Sequence, residues 1–332
     1  MKKILNDPAS YVDDMLAGLC AAHPQYYTQP EPRVIVRTGG VAKGKVGIVT
    51  GGGSGHLPIF TGYVGRGLLS AAAIGDVFAS PSSDQMALAI RHSNAGAGVL
   101  LLYGNYGGDV MNFDMAAEMV GLEDNIPIAT VLVADDVSSA QPLEAHKRRG
   151  VAGMVYAFKV AGAEAERGSD LKTVAASAQK AADACRSIGM ALTPCTIPQG
   201  GKPTFTIGDD EMEMGMGIHG EPGIWRGRMK SADKIADEML ERLLKDMPLA
   251  RGDRVSLLVN SLGATPPEEL YILFNRAARQ LDSAGVRVVM PLVGRYATSM
   301  EMAGASFTLC KLDDELEERL RAPAECAFWR VQ

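Results

Sequence analysis

The chain has 332 residues, more than one hydrophobic core ordinarily serves and comfortable for two domains. With 47% hydrophobic and 22% charged residues it has the composition of a folded soluble protein, and a formal net charge of −6 excludes a broad basic surface for nucleic acid. Met1-Lys2-Lys3 is followed by Leu5-Asn6-Asp7-Pro8 rather than an apolar run, and no stretch approaches the ~20 apolar residues of a membrane span, so neither a signal peptide nor a membrane anchor is expected. The five cysteines (Cys20, Cys185, Cys195, Cys310, Cys326) are scattered and form no CxxC pair, which points to reduced thiols in a cytoplasm rather than a disulfide framework or zinc knuckle.

Short β-branched runs alternate with longer amphipathic stretches through the first half. Arg33–Thr38, Lys45–Thr50, Leu69–Ile74, Gly98–Tyr103 and Ile126–Val133 read as strands, with helices over Ser82–Ser93 and Val110–Leu122. Ser82 or Ser83 suits the cap of the first helix and Asp109 the cap of the second. Helices are predicted over His146–Arg167 and Leu171–Ile188, broken by Gly168-Ser169-Asp170. This alternation predicts a layered α/β domain with a largely parallel sheet. Beyond Gly189 the reading is a strand over Ala191–Ile197, the turn-rich Pro198–Pro203, a short strand over Thr204–Ile207 and a Met- and Gly-rich segment over Glu211–Gly223. A second β/α series follows, with strands Arg254–Asn260, Val286–Leu292 and Ser306–Leu312 and helices Pro267–Gly285 and Asp314–Arg321. The change of character near residue 190 suggests two domains, 1–190 and 191–332, each a mixed or mostly parallel sheet flanked by helices.

Three segments look unlike ordinary packing. Thr50-Gly51-Gly52-Gly53-Ser54-Gly55-His56 follows a strand, and so many glycines allow close approach to a ligand at an entropic cost. It is neither a GxGxxG fingerprint nor a P-loop; the alternative is a tight turn, against which His56, a titratable group, argues for function. Tyr103-Gly104-Asn105-Tyr106-Gly107-Gly108-Asp109 also follows a strand, and loops at the carboxyl ends of parallel strands converge on one ligand-binding edge. His56 and Asp109 are therefore candidates for one cleft, as an acid and a base, with simple helix capping the competing role for Asp109. In Met212–Gly223, His219 lies among glycines ahead of a Pro-Gly turn, a setting for a nucleophile or ligand exposed at a loop. No second His or Cys stands nearby at metal-ligand spacing, and Met212, Met214 and Met216 read as packing.

Together these segments resemble the dihydroxyacetone kinase K-subunit family through nearly the whole chain. Further matching stretches are Gly75–Pro81, Asn105–Phe113, Asp135-Asp136-Val137, Arg148–Gly153, Gly201-Lys202-Pro203, Gly217–Gly223 and Asn260–Pro266. The resemblance implies a two-domain α/β protein that dimerises and binds a short ketose such as dihydroxyacetone. It implies that no nucleotide is held here: an all-helical L-type partner carries ADP or ATP with magnesium, and in phosphotransferase-fed systems a phosphohistidine protein recharges it. By the resemblance His219 adds to the substrate carbonyl as a hemiaminal, His56 and Asp109 form the acid/base pair with Asp109 the base, and Gly53 and Ser54 line the substrate pocket. Two positions depart from the family. Leu57 stands where it has Glu, and Gly104 where it has a substrate-reaching Lys, which implies open space beside Asp109 and a longer ketose such as erythrulose. A ketose-sensing transcriptional co-activator is the main competing reading. An isomerase or aldolase is a third, weakened by the lack of a well-placed Schiff-base lysine in the three segments.

Overall fold

The computed structural model describes residues 2–332. The first half comprises α1 (Tyr11–Ala22), β1 (Tyr27–Glu31), β2 (Val34–Arg37), β3 (Gly47–Ser54), β4 (Ala71–Val77), α2 (Ser83–Ser93), β5 (Val99–Gly104), α3 (Gly107–Asp124) and β6 (Ile128–Val133). Its sheet runs β1-β2-β4-β3-β5-β6, parallel from β4 through β6 and antiparallel at β1–β2 and β2–β4. The parallel strands β3 and β5 thus end at the same edge, and the segments after them carry His56 and Asp109. Ser82 caps α2, accepting from the Gln85 N–H while the Gln85 side chain accepts from the Ser82 N–H.

Then come α4 (Gly153–Glu166), α5 (Leu171–Asp183), β7 (Cys185–Thr193), β8 (Glu211–Met214), β9 (Trp225–Arg228) and α6 (Ala232–Asp246). The chain closes with β10 (Arg254–Ser261), α7 (Pro267–Ser283), β11 (Arg287–Gly294), β12 (Ala303–Leu312), α8 (Asp314–Arg321) and the short pair Ala324–Glu325 and Arg330–Val331. The second sheet runs β11-β10-β12-β7-β8-β9; β10–β11 is parallel and the other pairings are antiparallel. Both sheets are mixed and flanked by helices, and residue 190 lies within β7. Helix α4 joins them. Every residue from Gly153 to Ala165 is buried, including Lys159, whose ammonium donates to the Arg319 carbonyl at 2.7 Å. Among the described residues no helix is long and apolar enough to cross a membrane.

Several sequence expectations shift for long-range reasons. The helix expected over His146–Arg167 starts only at Gly153. Asp135 accepts the Val151 and Gly153 N–H groups at 2.7 Å each, while Arg148 is drawn away into a bidentate ion pair with Asp246. The helix expected to reach Ile188 stops at Asp183, because residues from Cys185 pair with β12 as a strand; that strand ends at Thr193. Thr204–Ile207 is not a strand, and α1, β1, β9 and α6 went unread. The largest difference is at the glycines. Gly51, Gly52 and Gly53 are not a loop but the end of β3, paired with Ala73, Ile74 and Gly75 of β4. The lack of side chains serves packing: a Cβ on Gly52 would collide with the Phe60 ring, and one on Gly53 would stand 2.7 Å from the Phe78 and Ala79 backbone. Only at Gly55, with φ +102°, does the backbone itself call for glycine.

Candidate functional site

Three elements deliver the three predicted residues. The turn after β3 carries His56, the first turn of α3 carries Asp109, and the connection between β8 and β9 carries His219. The His56 and His219 rings meet edge to face with centroids 4.8 Å apart. Tyr106 packs on His219 from another side at 4.8 Å, and Phe78 stacks on His56 at 4.9 Å while touching His219 at 5.3 Å. Two sheets therefore build one aromatic cluster around two imidazoles.

The two histidines have opposite supports. His56 is 1% exposed, and its Nδ1 donates to the Thr298 carbonyl at 2.7 Å. A carbonyl only accepts, so Nδ1 carries the proton and Nε2 keeps a lone pair. That Nε2 is buried without a partner. Burial, with His219 nearby, pushes the ring pKa down to about 3 against the pull of the Thr298 carbonyl and Glu221, so His56 is neutral at physiological pH. It can accept a proton or a hydrogen bond at Nε2; it has none to give there. Of the acid and base roles expected for the pair, the acid role does not suit this histidine.

His219 keeps 24% of its side chain exposed and answers to a carboxylate. Glu221 accepts the His219 backbone N–H through one oxygen and Nδ1–H through the other, both at 2.9 Å. The lone pair of the neutral ring is then on Nε2, the nitrogen free to attack. Burial resists ionisation of Glu221, but the His219 bond, the His219 charge and Arg149 overcome it and hold the carboxyl down to about 2. Arg149 stands 3.7 Å from Glu221 and is itself anchored on Asp136 at 2.7 Å, so the end of the first sheet steadies the histidine of the second. Glu213 pins the far end of the same connection, accepting the Gly223 N–H at 2.6 Å and the Arg226 guanidinium.

Asp109 does not cap α3. The helix begins at Gly107 with Tyr106 in the cap position, which leaves Asp109 in the first turn with its carboxyl turned inward and 6% exposed. Its Oδ1 has no hydrogen-bond partner. Burial raises its pKa to about 6, opposed by the Ser80 hydroxyl and His219. A carboxyl poised so near neutrality suits proton transfer.

The remaining predicted residues are closely packed. Gly53 lies flush against the Phe78–Ala79 backbone, and Ser54 is buried with its carbonyl accepting the Phe78 N–H at 3.0 Å. The space expected beside Gly104 is filled: a Cβ there would meet the Tyr106 ring at 3.2 Å and the Met154 sulfur at 3.3 Å. Tyr106 folds back over the glycine and donates its hydroxyl to the Gly150 carbonyl at 3.1 Å. Leu57 lines a cleft with Ser54, Arg295 and Thr298. Met212, Met214 and Met216 are core. The sequence reading missed Glu221, Tyr106, Phe78, Arg149 and Thr298. Glu221 alone left a trace, as a carboxylate two residues from a histidine in a glycine-bounded turn. Among the described residues no group of three or more His, Cys, Asp or Glu side chains is placed to hold a metal ion.

Two mixed sheets sharing a buried helix, with paired imidazoles and a buried carboxyl of raised pKa, define an α/β protein. The chain belongs to the Dak1 domain family, the dihydroxyacetone kinase K-subunit family of the sequence reading, with residues 17–328 matching the Dak1 domain. It is 44% identical to the dihydroxyacetone-binding subunit DhaK of PTS-dependent dihydroxyacetone kinase 1 from Listeria innocua, over 99% of this chain and 100% of that one. It is 43% identical to an L-erythrulose kinase from Pectobacterium atrosepticum, over 99% of this chain and 56% of the relative. Among solved structures, the dihydroxyacetone kinase of C. freundii in complex with AMP-PNP and Mg2+ superposes with a TM-score of 0.87 at 34% identity, over 99% of this chain and 61% of that one. The dihydroxyacetone kinase operon co-activator Dha-DhaQ superposes with a TM-score of 0.87 at 33% identity, over 94% and 96%.

Proposed function

We propose that this chain is the ketose-binding, catalytic subunit of a dihydroxyacetone-type kinase, a phosphotransferase acting on the terminal hydroxyl of a short ketose. The observation that carries the reading is a pair of orphaned polar atoms. Buried side chains nearly always find hydrogen-bond partners, yet His56 Nε2 and Asp109 Oδ1 have none. The His56 ring lies against a histidine whose own Nδ1 is tied to a carboxylate, and Asp109 is near enough to feel that histidine's charge. A ketose offers the missing groups: a carbonyl carbon for His219 Nε2, and hydroxyls for the other two.

The chemistry balances without a redox partner. His219 Nε2 forms a bond to the carbonyl carbon as the C=O π pair moves to oxygen. The ring becomes an imidazolium that the Glu221 charge favours, and its Nδ1 proton then passes by way of Glu221 and solvent to the carbinol oxygen. The proton lost by the ring is the one gained by oxygen, so the hemiaminal is neutral. The tether fixes the terminal hydroxyl, and Asp109 as carboxylate removes its proton when the phosphoryl group arrives. His56 Nε2 accepts a hydrogen bond from a substrate hydroxyl and orients it. Phosphoryl transfer asks mainly for such positioning from the acceptor side. The donor is a nucleotide with magnesium on an L-type partner, recharged where a phosphotransferase system supplies a phosphohistidine protein. The subunit works as a homodimer in the cytoplasm, with its two domains parting between α5 and β7 rather than after residue 190, which lies inside a strand of the second sheet.

The kinship with both dihydroxyacetone and erythrulose kinases supports a triose or tetrulose as substrate. Since Tyr106 fills the place beside Gly104, room for a fourth carbon depends on that ring turning aside. A second reading, a ketose sensor acting on transcription through a partner, draws support from the equal superposition on a co-activator. One experiment separates the readings. The chain is mixed with an L-type partner, ATP and magnesium, and phosphorylation of dihydroxyacetone and of each erythrulose enantiomer is followed while intact mass reports an adduct. Phosphorylation with an adduct that maps to His219 supports the kinase. An adduct without phosphorylation supports the sensor, and the absence of both adduct and phosphorylation overturns both readings.

A further inference from the structure

His56 takes its ring hydrogen bond from the other half of the molecule. Besides the bond from Nδ1 to the Thr298 carbonyl at 2.7 Å, the Thr298 hydroxyl donates to the Leu57 carbonyl at 3.0 Å and the Met300 N–H to the Gly55 carbonyl at 2.7 Å. Residues 296–300 therefore clasp residues 55–57. One side chain sets the shape of that clasp. Asn260, near the end of β10 and fully buried, accepts the Tyr296 and Ala297 N–H groups on Oδ1 at 2.8 and 2.9 Å. Its Nδ2 donates to the Ala297 carbonyl at 2.6 Å and to the Ser306 hydroxyl at 3.0 Å. Both lone pairs and both amide hydrogens are used, which leaves a single amide orientation. An aspartate could keep the two accepted bonds but would set a charge against the Ala297 carbonyl.

We propose that Asn260 is a positioning residue for His56: by holding the 296–298 backbone it aims the Thr298 carbonyl at Nδ1 and so selects the tautomer whose Nε2 lone pair faces the site. The two neutral tautomers of an imidazole differ little in energy, so a buried Nδ1 whose partner is a carbonyl, which cannot donate, is enough to choose between them. Nothing else around the ring competes for the choice. Phe60 and Phe78 offer only carbon, the His219 ring meets it edge to face, and Glu221, the nearest carboxylate acting on it, is engaged with His219. A carbonyl shifted by an ångström would free Nδ1, and Nε2 would then spend part of its time as a donor aimed at a hydroxyl it should accept. The catalytic consequence rests on the role given to His56 above; the tautomer itself does not.

The test uses histidine labelled with 15N in the ring, with the His56 signals identified by their loss in His56→Asn. In the unmodified protein His56 should show one neutral tautomer, protonated at Nδ1; protonation at Nε2 overturns the proposal. In folded Asn260→Asp and Asn260→Ser the His56 signals should move to the averaged positions of a tautomer mixture, and kcat for ketose phosphorylation should fall about tenfold or more with a smaller change in KM. A folded variant that keeps the original tautomer overturns the proposal even if its turnover falls. A tautomer that responds in a protein with no kinase activity upholds it and counts against the kinase reading alone. Should neither variant fold, amide exchange in the unmodified protein decides. Tyr296 and Ala297 amides as slow as those of β10 uphold the clasp, and fast exchange there overturns it.

Discussion

Two glycine-rich segments each deliver a histidine to the same pocket, and the partner behind each ring makes them different tools. The end of β3 buries His56 entirely and backs it with a neutral carbonyl, which fixes a proton on Nδ1 but favours positive charge too weakly to offset burial. The β8–β9 connection leaves His219 part exposed and backs it with Glu221, an anion that favours positive charge on the ring it holds. An imidazole that must form a bond to carbon gains from the second support. One that must stay neutral and accept a hydrogen bond gains from the first. Rings 4.8 Å apart are thus assigned distinct chemistry by their second partners rather than by their positions in the chain.

The sharpest way to break this comparison is His219→Ala. It should abolish the ketose adduct in the intact mass spectrum and lower kcat/KM roughly ten-thousand-fold, because the lost tether was worth several kcal/mol of positioning. An adduct that persists would move the nucleophile elsewhere.

Asp109→Asn comes next. It should leave the adduct in place and slow phosphoryl transfer about a hundred- to a thousandfold in single-turnover measurements. The same carboxyl sets a pH signature. With its pKa raised to about 6, it loses its base function as pH falls through 6, so kcat/KM should show an acid limb there that Asp109→Asn lacks. Stability runs the other way. The folded state holds this proton more tightly than the unfolded chain does, so the contribution of Asp109 is most favourable below the unfolded value near 4 and declines as pH rises to 6. At neutral pH Asp109→Asn should therefore be the more stable protein, by on the order of 1–3 kcal/mol in denaturant titrations.

Glu221→Gln tests the carboxylate directly. The amide can still accept from Nδ1 but carries no charge, so the adduct should form about ten- to a hundredfold more slowly. The melting temperature at neutral pH should fall, because the stability contributed by the depressed carboxyl is lost. An unchanged rate would mean that the contrast between the two supports has no functional weight. The smallest effect belongs to Gly104→Ala. Its methyl group meets the Tyr106 ring and the Met154 sulfur at 3.2–3.3 Å, so about 1 kcal/mol of stability should be lost, with a several-fold change in the ratio of erythrulose to dihydroxyacetone turnover.

How far such a pocket can be read from sequence depends on the residue. The glycines beside His56, Asp109 and His219 drew attention to them in the sequence, although His56 and Asp109 are buried rather than displayed on open loops. The alternation of apolar runs gave the α/β class, and parallel strand ends correctly brought His56 and Asp109 to one edge. Gly51 to Gly53 misled, because glycine weakens a strand and marks a loop by composition, whereas here it admits Phe60 and the Phe78 backbone against β3. The break before α4 depends on the Arg148–Asp246 pair across 98 residues, which no local pattern announces. The tautomers were beyond reach for the same reason: the carbonyl that fixes His56 lies 242 residues away.

The burial of α4 on every side has its own consequence. A helix with no solvent face cannot be left behind by either sheet without baring a full cylinder of apolar side chains to water, so neither half has a separate melting event available to it. Heat should take the chain apart in a single cooperative step, and a protease that nicks a surface loop should leave the fragments associated.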